Sequence, residues 1–455
     1  MIKLSFFGAS GEVTGSCYLL EYLPAGKAGA STKILIYCGM FQSPRFSDKR
    51  NNASFPFDPN EIAALFITHA HVDHTGRIPK LIKEGFKGKI YSTNPTKDLA
   101  NLMLKDSIGV LAKEAEREHE EILYSEADVD QAMALWEGKN YHDAVKLGNF
   151  TLTFFDAGHV LGSAMIMAEV NGKKVLFTGD LGNPTNPLLM GFENTPNPDY
   201  LIIESTYGDR EHEDVSEKKL KLERVIEKGV VRSGALMIPA FSLERTQELL
   251  WEISDMLRNR QIPNVQIFFD SPLAIHATEI YQKYYSYLNR AYVDQKSFSF
   301  LKLPQVHPTL TTDESKKIND APTPKIIIAG SGMSMGGRIL HHERRYLSDP
   351  KSTILFIGYQ AAGSLGRRIE DGADTVRLFG EDIPVRCHKE VIYGYSAHPD
   401  EGVLFDFIRD RSDNLKKIFT VHGEPKSSLA LVQKIRDNLG IEAHSPKYGE
   451  TVDIS

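Results

Sequence analysis

The chain has 455 residues, 53 Lys and Arg against 60 Asp and Glu, a net charge of -7 at neutral pH, and 41% apolar residues. That length predicts a large core and two domains, and the negative balance excludes a generally basic nucleic-acid binder, because phosphate contacts need local positive charge to release counterions. Cys17, Cys38 and Cys387 are too few and too scattered for a disulfide framework. No stretch is apolar and long enough to span a membrane, so a reducing cytoplasm is the expected location.

Taken in chain order, Met1-Ile2-Lys3-Leu4-Ser5-Phe6-Phe7-Gly8 reads as a short strand entering a Gly-rich turn, not as a signal peptide. The Gly- and Ala-rich segment from Pro24 to Ser31 reads as a hairpin tip or insertion before a strand at 33–37. The apolar run 63–68 then ends in His69-Ala70-His71-Val72-Asp73-His74, which places three imidazoles and a carboxylate on one short turn. Imidazole and carboxylate together suit zinc better than calcium or magnesium, which want oxygen alone. His69 and His71, two apart, can converge on one ion, while Asp73 and His74 lie further round the turn, so the spacing allows two ions. The alternative is a surface loop that merely happens to be rich in histidine.

Residues 113–121, Lys-Glu-Ala-Glu-Arg-Glu-His-Glu-Glu, predict an exposed helix with a solvated acidic face. One short motif cannot fill two coordination spheres, so further ligands are expected at other strand ends. The run 151–155 leads to Asp156-Ala157-Gly158-His159, the run 174–178 to Gly179-Asp180, and the run 417–421 to His422-Gly423-Glu424. Singly, each of His159, Asp180 and His422 reads as an ordinary structural residue; as a set they point to a metal centre.

From Gly208 onward the pattern restarts. Short apolar runs at 235–239, 265–269 and 325–329, separated by helical segments, predict a parallel sheet covered by helices. Ala329-Gly330-Ser331-Gly332-Met333 leads to Gly336-Gly337-Arg338 at the start of a helix. Backbone N–H groups around Ser331, Gly332 and Gly337, with the fork of Arg338, suit a substrate phosphate, and Arg245 and Arg367 are candidates on the same logic. Plain strand-to-helix architecture is the alternative. The pairs Arg344-Arg345 and Arg367-Arg368 either extend the positive field or are solvated surface.

The histidine motif, the distant His159, Asp180 and the final His422 together resemble the metallo-β-lactamase superfamily, over nearly the whole chain. The resemblance narrows at Glu204-Ser205-Thr206-Tyr207-Gly208, Tyr395-Ser396-Ala397-His398 and Val421-His422-Gly423-Glu424, which are similar to motifs A, B and C of the β-CASP nucleases. Those nucleases include the endonuclease subunit of the eukaryotic cleavage and polyadenylation factor and its prokaryotic counterparts. Pro239-Ala240-Phe241 with Arg245, Asp270-Ser271-Pro272-Leu273-Ala274 and Gly358-Tyr359-Gln360 support the match. The resemblance implies an α/β chain: an αββα metallo-β-lactamase fold with an inserted α/β β-CASP domain. Residues 1–207 would form the first part of the lactamase-like domain, 208–385 the insert and 386–455 the C-terminal part.

It further implies a zinc-dependent ribonuclease that hydrolyses single-stranded RNA. His69, His71 and His159 would hold one zinc, Asp73, His74 and His422 the other, and Asp180 would bridge them. A water shared by the two ions would attack phosphorus in line, so that Asp73 and Asp180 serve the chemistry as well as the metals. His398 would protonate the leaving oxygen and Glu204 would orient it, leaving a 5'-phosphate and a 3'-hydroxyl. A His in motif C favours RNA over DNA, and a chain that stops soon after Ser445-Pro446-Lys447-Tyr448-Gly449-Glu450 favours internal cutting, since the exonucleases usually carry more C-terminal sequence. Relatives often dimerise, which makes a homodimer an expectation too.

One residue departs from the family pattern. Where the family has Asp before Cys-Gly, this chain reads Ile36-Tyr37-Cys38-Gly39. Loss of such an outer-shell carboxylate typically costs about 10- to 100-fold in metal affinity or activity. Tyr37 therefore keeps open a second reading, an RNA-binding β-CASP protein with weak or no catalysis. A third, a small-molecule thioester or lactam hydrolase, fits less well, because acyl transfer needs neither the insert nor a His398–Glu204 pair.

Overall fold

The computed structural model describes residues 1–24, 31–42, 48–212, 217–293, 300–361 and 363–455, so most of the 24–31 hairpin tip lies outside the described residues. The chain divides into two compact units. The first comprises Met1–Pro184, Leu189–Glu211 and His398–Ser455, and the second Thr185–Leu188 and His212–Ala397.

In the first unit, two seven-stranded sheets each mix antiparallel and parallel pairs. One runs in the order Thr451–Asp453, Ile2–Phe6, Tyr18–Tyr22, Thr32–Ile36, Ile62–Phe66, Lys89–Thr93, Trp136–Lys139. The other runs Glu442–His444, Lys417–Val421, Tyr200–Glu204, Lys173–Phe177, Ala164–Val170, Phe150–Asp156, Ala144–Leu147. Alternate side chains of the two sheets meet in one core: Leu4, Phe6, Ile34, Ile36 and Phe66 from the first sheet, and Phe154, Ile166, Phe177, Ile202, Phe419 and Val421 from the second. The opposite residues of the second sheet, Met165, Met167, Leu176, Leu201, Ile203 and Ile418, pack on Leu404, Phe407 and Ile408 of the helix Glu401–Arg409 and on Leu431, Val432 and Ile435 of the helix Pro425–Leu439. Helices Asn94–Glu118 and Glu126–Leu135 cover Lys89–Thr93 on the other side. The layers are therefore helix, sheet, sheet, helix, as expected from a strand such as Lys417–Val421 that is buried on both faces over four of its five residues.

Local chemistry sets the element ends. Asp400 caps the helix Glu401–Arg409 by accepting from Val403 N–H at 3.0 Å, and Pro425 opens the helix that follows His422. The helix expected over 113–121 is the end of the long Asn94–Glu118; it stops earlier because His119 takes a left-handed conformation, φ 56°.

The second unit is built on six parallel strands in the order Val306–Pro308, Gln266–Asp270, Lys325–Ala329, Ala235–Pro239, Thr353–Phe356, His388–Val391. Its core joins Met237, Ile327, Ala329, Ile354 and Phe356 to Ile339, Tyr346, Leu347 and Ile369 from helical segments.

Candidate metal centre

Seven ligand-type residues from four strand ends meet at one edge of the paired sheets in the first unit. The strand Ile62–Phe66 leads through Thr68 to His69 and His71, and the short helix Val72–Thr75 presents Asp73 and His74. Phe150–Asp156 delivers His159, Lys173–Phe177 delivers Asp180, and Lys417–Val421 delivers His422.

Close backbone contacts fix these loops. Gly39 N–H donates to Ser16 O at 2.8 Å, Cys38 N–H to His74 O at 2.9 Å and Met40 N–H to Val72 O at 2.8 Å. A Cβ on Gly39 would lie 1.6 Å from Asp73 O, so only glycine lets the turn after Thr32–Ile36 close on the ligand helix. Gly182 plays the same part under His159, with a would-be Cβ 1.9 Å from Gly158 O. His159 N–H is held by Ser163 Oγ at 2.9 Å.

Donor atoms fall into two groups, each with its members within 4.8 Å of one another: His69, His71, His159 and Asp180, and Asp73, His74, Asp180 and His422. Asp180 Oδ2 lies 3.4 Å from His69 Nε2, 3.7 Å from His159 Nε2 and 3.6 Å from His422 Nε2, while Oδ1 lies 3.4 Å from His74 Nε2. His74 Nε2 is also 3.5 Å from Asp73 Oδ2, and His69 Nε2 faces His71 Nδ1 at 3.1 Å.

Electrostatics within the cluster are divided. Burial, then neighbouring imidazoles, pushes His71 down to about 3 and holds His69 and His159 below the ordinary histidine range; burial likewise lowers His422. His74 goes the other way: burial opposes its charge, but Asp180 and Asp73 outweigh it and raise it to about 10. Both carboxyls sit well below their usual range, because the imidazoles overcome the burial that would raise them. Both ring nitrogens of His74 and His159 and Oδ1 of Asp180 are buried with no hydrogen-bond partner. Buried polar atoms converging without partners are costly unless a cation satisfies them, and five imidazoles with two carboxylates are a donor set that fits zinc.

Beside the cluster, His398 Nδ1 lies 2.9 Å from Glu204 Oε2, and Glu204 Oε1 accepts from Leu181 N–H at 2.7 Å. Glu204 thus joins His398 to the loop that carries Asp180. The His398 ring is 4.7 Å from that of His159 and 22% exposed.

The residues expected to bind phosphate belong to the second unit and have other partners. Arg338 Nη1 binds Asp270 Oδ1 at 2.7 Å and Thr309 O at 3.0 Å, and its Nη2 binds Leu310 O at 2.8 Å. Arg245 is buried against Glu244 at 2.6 Å and Glu248 at 3.2 Å. Arg367 pairs with Asp371 at 2.8 Å, and Arg344 with Glu381 at 2.6 Å. Each of these guanidiniums is thus paired with a carboxylate in this structure. Ser331 Oγ accepts from Met335 N–H at 3.0 Å, Gly332 packs under Phe241, and Gly337 takes φ 73° against Gly330 O.

Sequence reasoning missed the supporting residues: Thr68 at His69 Nδ1, 3.1 Å, Ser16 at His422 Nδ1, 3.4 Å, and Arg77, which donates to Gly39 O. Thr68 and Arg77 had only their nearness to the histidine motif as a signal, and Ser16, far from every motif in sequence, had none.

A layered fold with clustered His and Asp at one sheet edge defines a metal-dependent hydrolase. Residues 10–226 match the Metallo-beta-lactamase superfamily, 246–369 the Beta-Casp domain and 382–446 the Zn-dependent metallo-hydrolase RNA specificity domain. Ribonuclease TTHA0252 of Thermus thermophilus is 35% identical over 98% of this chain and 99% of its own. An RNase J-like protein of Methanocaldococcus jannaschii is 33% identical over 100% of both, and transcription termination factor FttA of Methanosarcina mazei is 30% identical over 100% of this chain and 72% of its own. A solved structure of a protein of unknown function from Enterococcus faecalis V583 shares the fold, with a TM-score of 0.56 and 13% identity over 99% of each chain. The chain belongs to the β-CASP family of the metallo-β-lactamase superfamily.

Proposed function

We propose that this protein is a zinc-dependent ribonuclease that cuts single-stranded RNA internally, with two zinc ions held by the two donor groups and Asp180 common to both. The observation that carries this reading is the conjunction of those groups with the His398–Glu204 pair. Bound there, zinc would supply an acidified water and positive charge facing the phosphodiester. The chain's own residues do the rest. Glu204 Oε2 accepts from His398 Nδ1, which orients the ring, and Nε2 then carries the proton given to the departing 3'-oxygen. Water adds to phosphorus as the P–O3' bond breaks, leaving a 5'-phosphate and a 3'-hydroxyl.

RNA as the substrate is supported by the matched RNA specificity domain, by the relatives' names and by His422, the motif C residue of RNA-cleaving members. The test compares RNA and DNA of one sequence, incubated with chelator-stripped and zinc-restored protein, with the new ends identified by phosphatase and ligase. Zinc-dependent internal cuts in RNA bearing 5'-phosphates support the reading; cuts that ignore zinc, or 3'-phosphate ends, overturn it.

A further inference from the structure

A histidine that binds metal through one ring nitrogen normally gives its other N–H to a carboxylate, carbonyl or water, which orients the ring. Both ring nitrogens of His159 are buried with no hydrogen-bond partner among the described residues. His74 shares that lack, but it is carried on the short helix Val72–Thr75. His159 stands instead in the loop 157–163, between Phe150–Asp156 and Ala164–Val170. The place of its imidazole therefore depends on what holds that loop.

Ser163 closes the loop from within. Its Oγ accepts from His159 N–H at 2.9 Å and Val160 N–H at 3.2 Å, its own N–H donates to Val160 O at 2.8 Å, and its carbonyl accepts from Ala157 N–H at 3.1 Å. Tyr141 holds the same residue from outside. Its hydroxyl donates to Ser163 O at 2.9 Å and lies 3.2 Å from Asp156 Oδ1, which accepts from Gly158 N–H at 2.8 Å. One phenol thus ties the entry of the loop, Asp156, to its exit, Ser163. Ser163 is fully buried, so solvent does not replace a lost hydroxyl there. Tyr141 is itself anchored. It lies on the turn that carries the chain from Trp136–Lys139, at the edge of one sheet, to Ala144–Leu147, at the edge of the other. Its ring packs against the inter-sheet core, and His142 N–H donates to Phe154 O at 2.8 Å, which fixes the turn to the strand that delivers His159.

We infer that Tyr141 is a positioning residue for the metal centre: by clamping the loop 157–163 at Asp156 and Ser163, its hydroxyl sets where His159 meets an ion shared with His69, His71 and Asp180. The inference rests on the metal reading above. Tyr141 supplies geometry and no ligand atom, since the donor group is complete without it. Such a site works only when its supporting residues hold the ligands to within about 0.5 Å of the productive arrangement.

The test loads stripped full-length protein with zinc, in competition with a chromogenic chelator, and separately with cobalt, whose visible absorption bands report ligand geometry. Tyr141→Phe keeps the ring and removes only the hydroxyl; it should weaken binding of one ion about 10-fold and shift the cobalt bands. Ser163→Ala, which takes the acceptor from His159 N–H, should do the same. The double variant should lose less than the product of the two single losses, because both act through one loop. Tyr22→Phe, a phenol lost from the same core at the strand end paired with Ile2 and Thr32, should match wild type. Wild-type zinc affinity and cobalt bands in Tyr141→Phe, even beside a lowered thermal midpoint, would overturn the inference by making the phenol a matter of folding alone. Independent, multiplying losses in the double variant would overturn it too. Should Tyr141→Phe fail to fold, unaltered cobalt bands in Ser163→Ala decide against the clamp on their own. No metal uptake by wild type would instead overturn the metal reading itself.

Discussion

His398 Nδ1 pairs with Glu204 and its ring lies beside His159, while it belongs to neither donor group, so its contribution to chemistry is separable from metal binding. Replacing it with Ala should lower RNA cleavage about 10²- to 10⁴-fold while zinc content by mass spectrometry stays at the wild-type value. A different residue-scale consequence concerns Glu343 in the second unit. Burial, opposed only by a hydrogen bond from Ser334, lifts its carboxyl to about 8. In the unfolded chain it titrates at about 4.3. The folded state therefore holds the proton more tightly, and this contribution to stability is full below the unfolded value and lost as pH rises toward 8. Glu343→Gln cannot ionise, so urea unfolding at pH 5 and at pH 8 should show the variant gaining on wild type by about 1–3 kcal/mol at the higher pH.

At the scale of elements, the site depends on turns that glycine alone can make. Gly39→Ala places a methyl group on Asp73 O and should cost about 1–3 kcal/mol or more of stability, read as a lowered thermal midpoint together with reduced zinc uptake. The sequence made the strands and their ligands legible because each ligand follows an apolar run: the runs at 235–239, 325–329 and 417–421 coincide with observed strands, and the others lie within a residue or two. What pairs with what was not legible. Apolar periodicity carries no strand order, so nothing in the run 2–6 revealed that Ile2–Phe6 lies between Tyr18–Tyr22 and Thr451–Asp453. Nor could it reveal that Arg338 is spent on Asp270, because a Gly-Gly-Arg turn reads alike whether its guanidinium faces a ligand or a carboxylate 68 residues away.

For the whole molecule, the seven clustered side chains gather in one unit, where an ion would satisfy atoms that otherwise have no partner. An ion that binds only the folded state stabilises it by mass action, about 2.7 kcal/mol at a hundredfold excess over Kd. Chelation should therefore lower the calorimetric midpoint and zinc should restore it, while His69→Ala should blunt the response. The most direct measurement of the central claim is cleavage of end-labelled single-stranded RNA by zinc-loaded protein beside identically prepared His398→Ala. Internal cuts that vanish in the variant are the result expected here; RNA bound but cut no faster than by the variant would contradict a nuclease and leave a non-catalytic RNA-binding protein of the same fold.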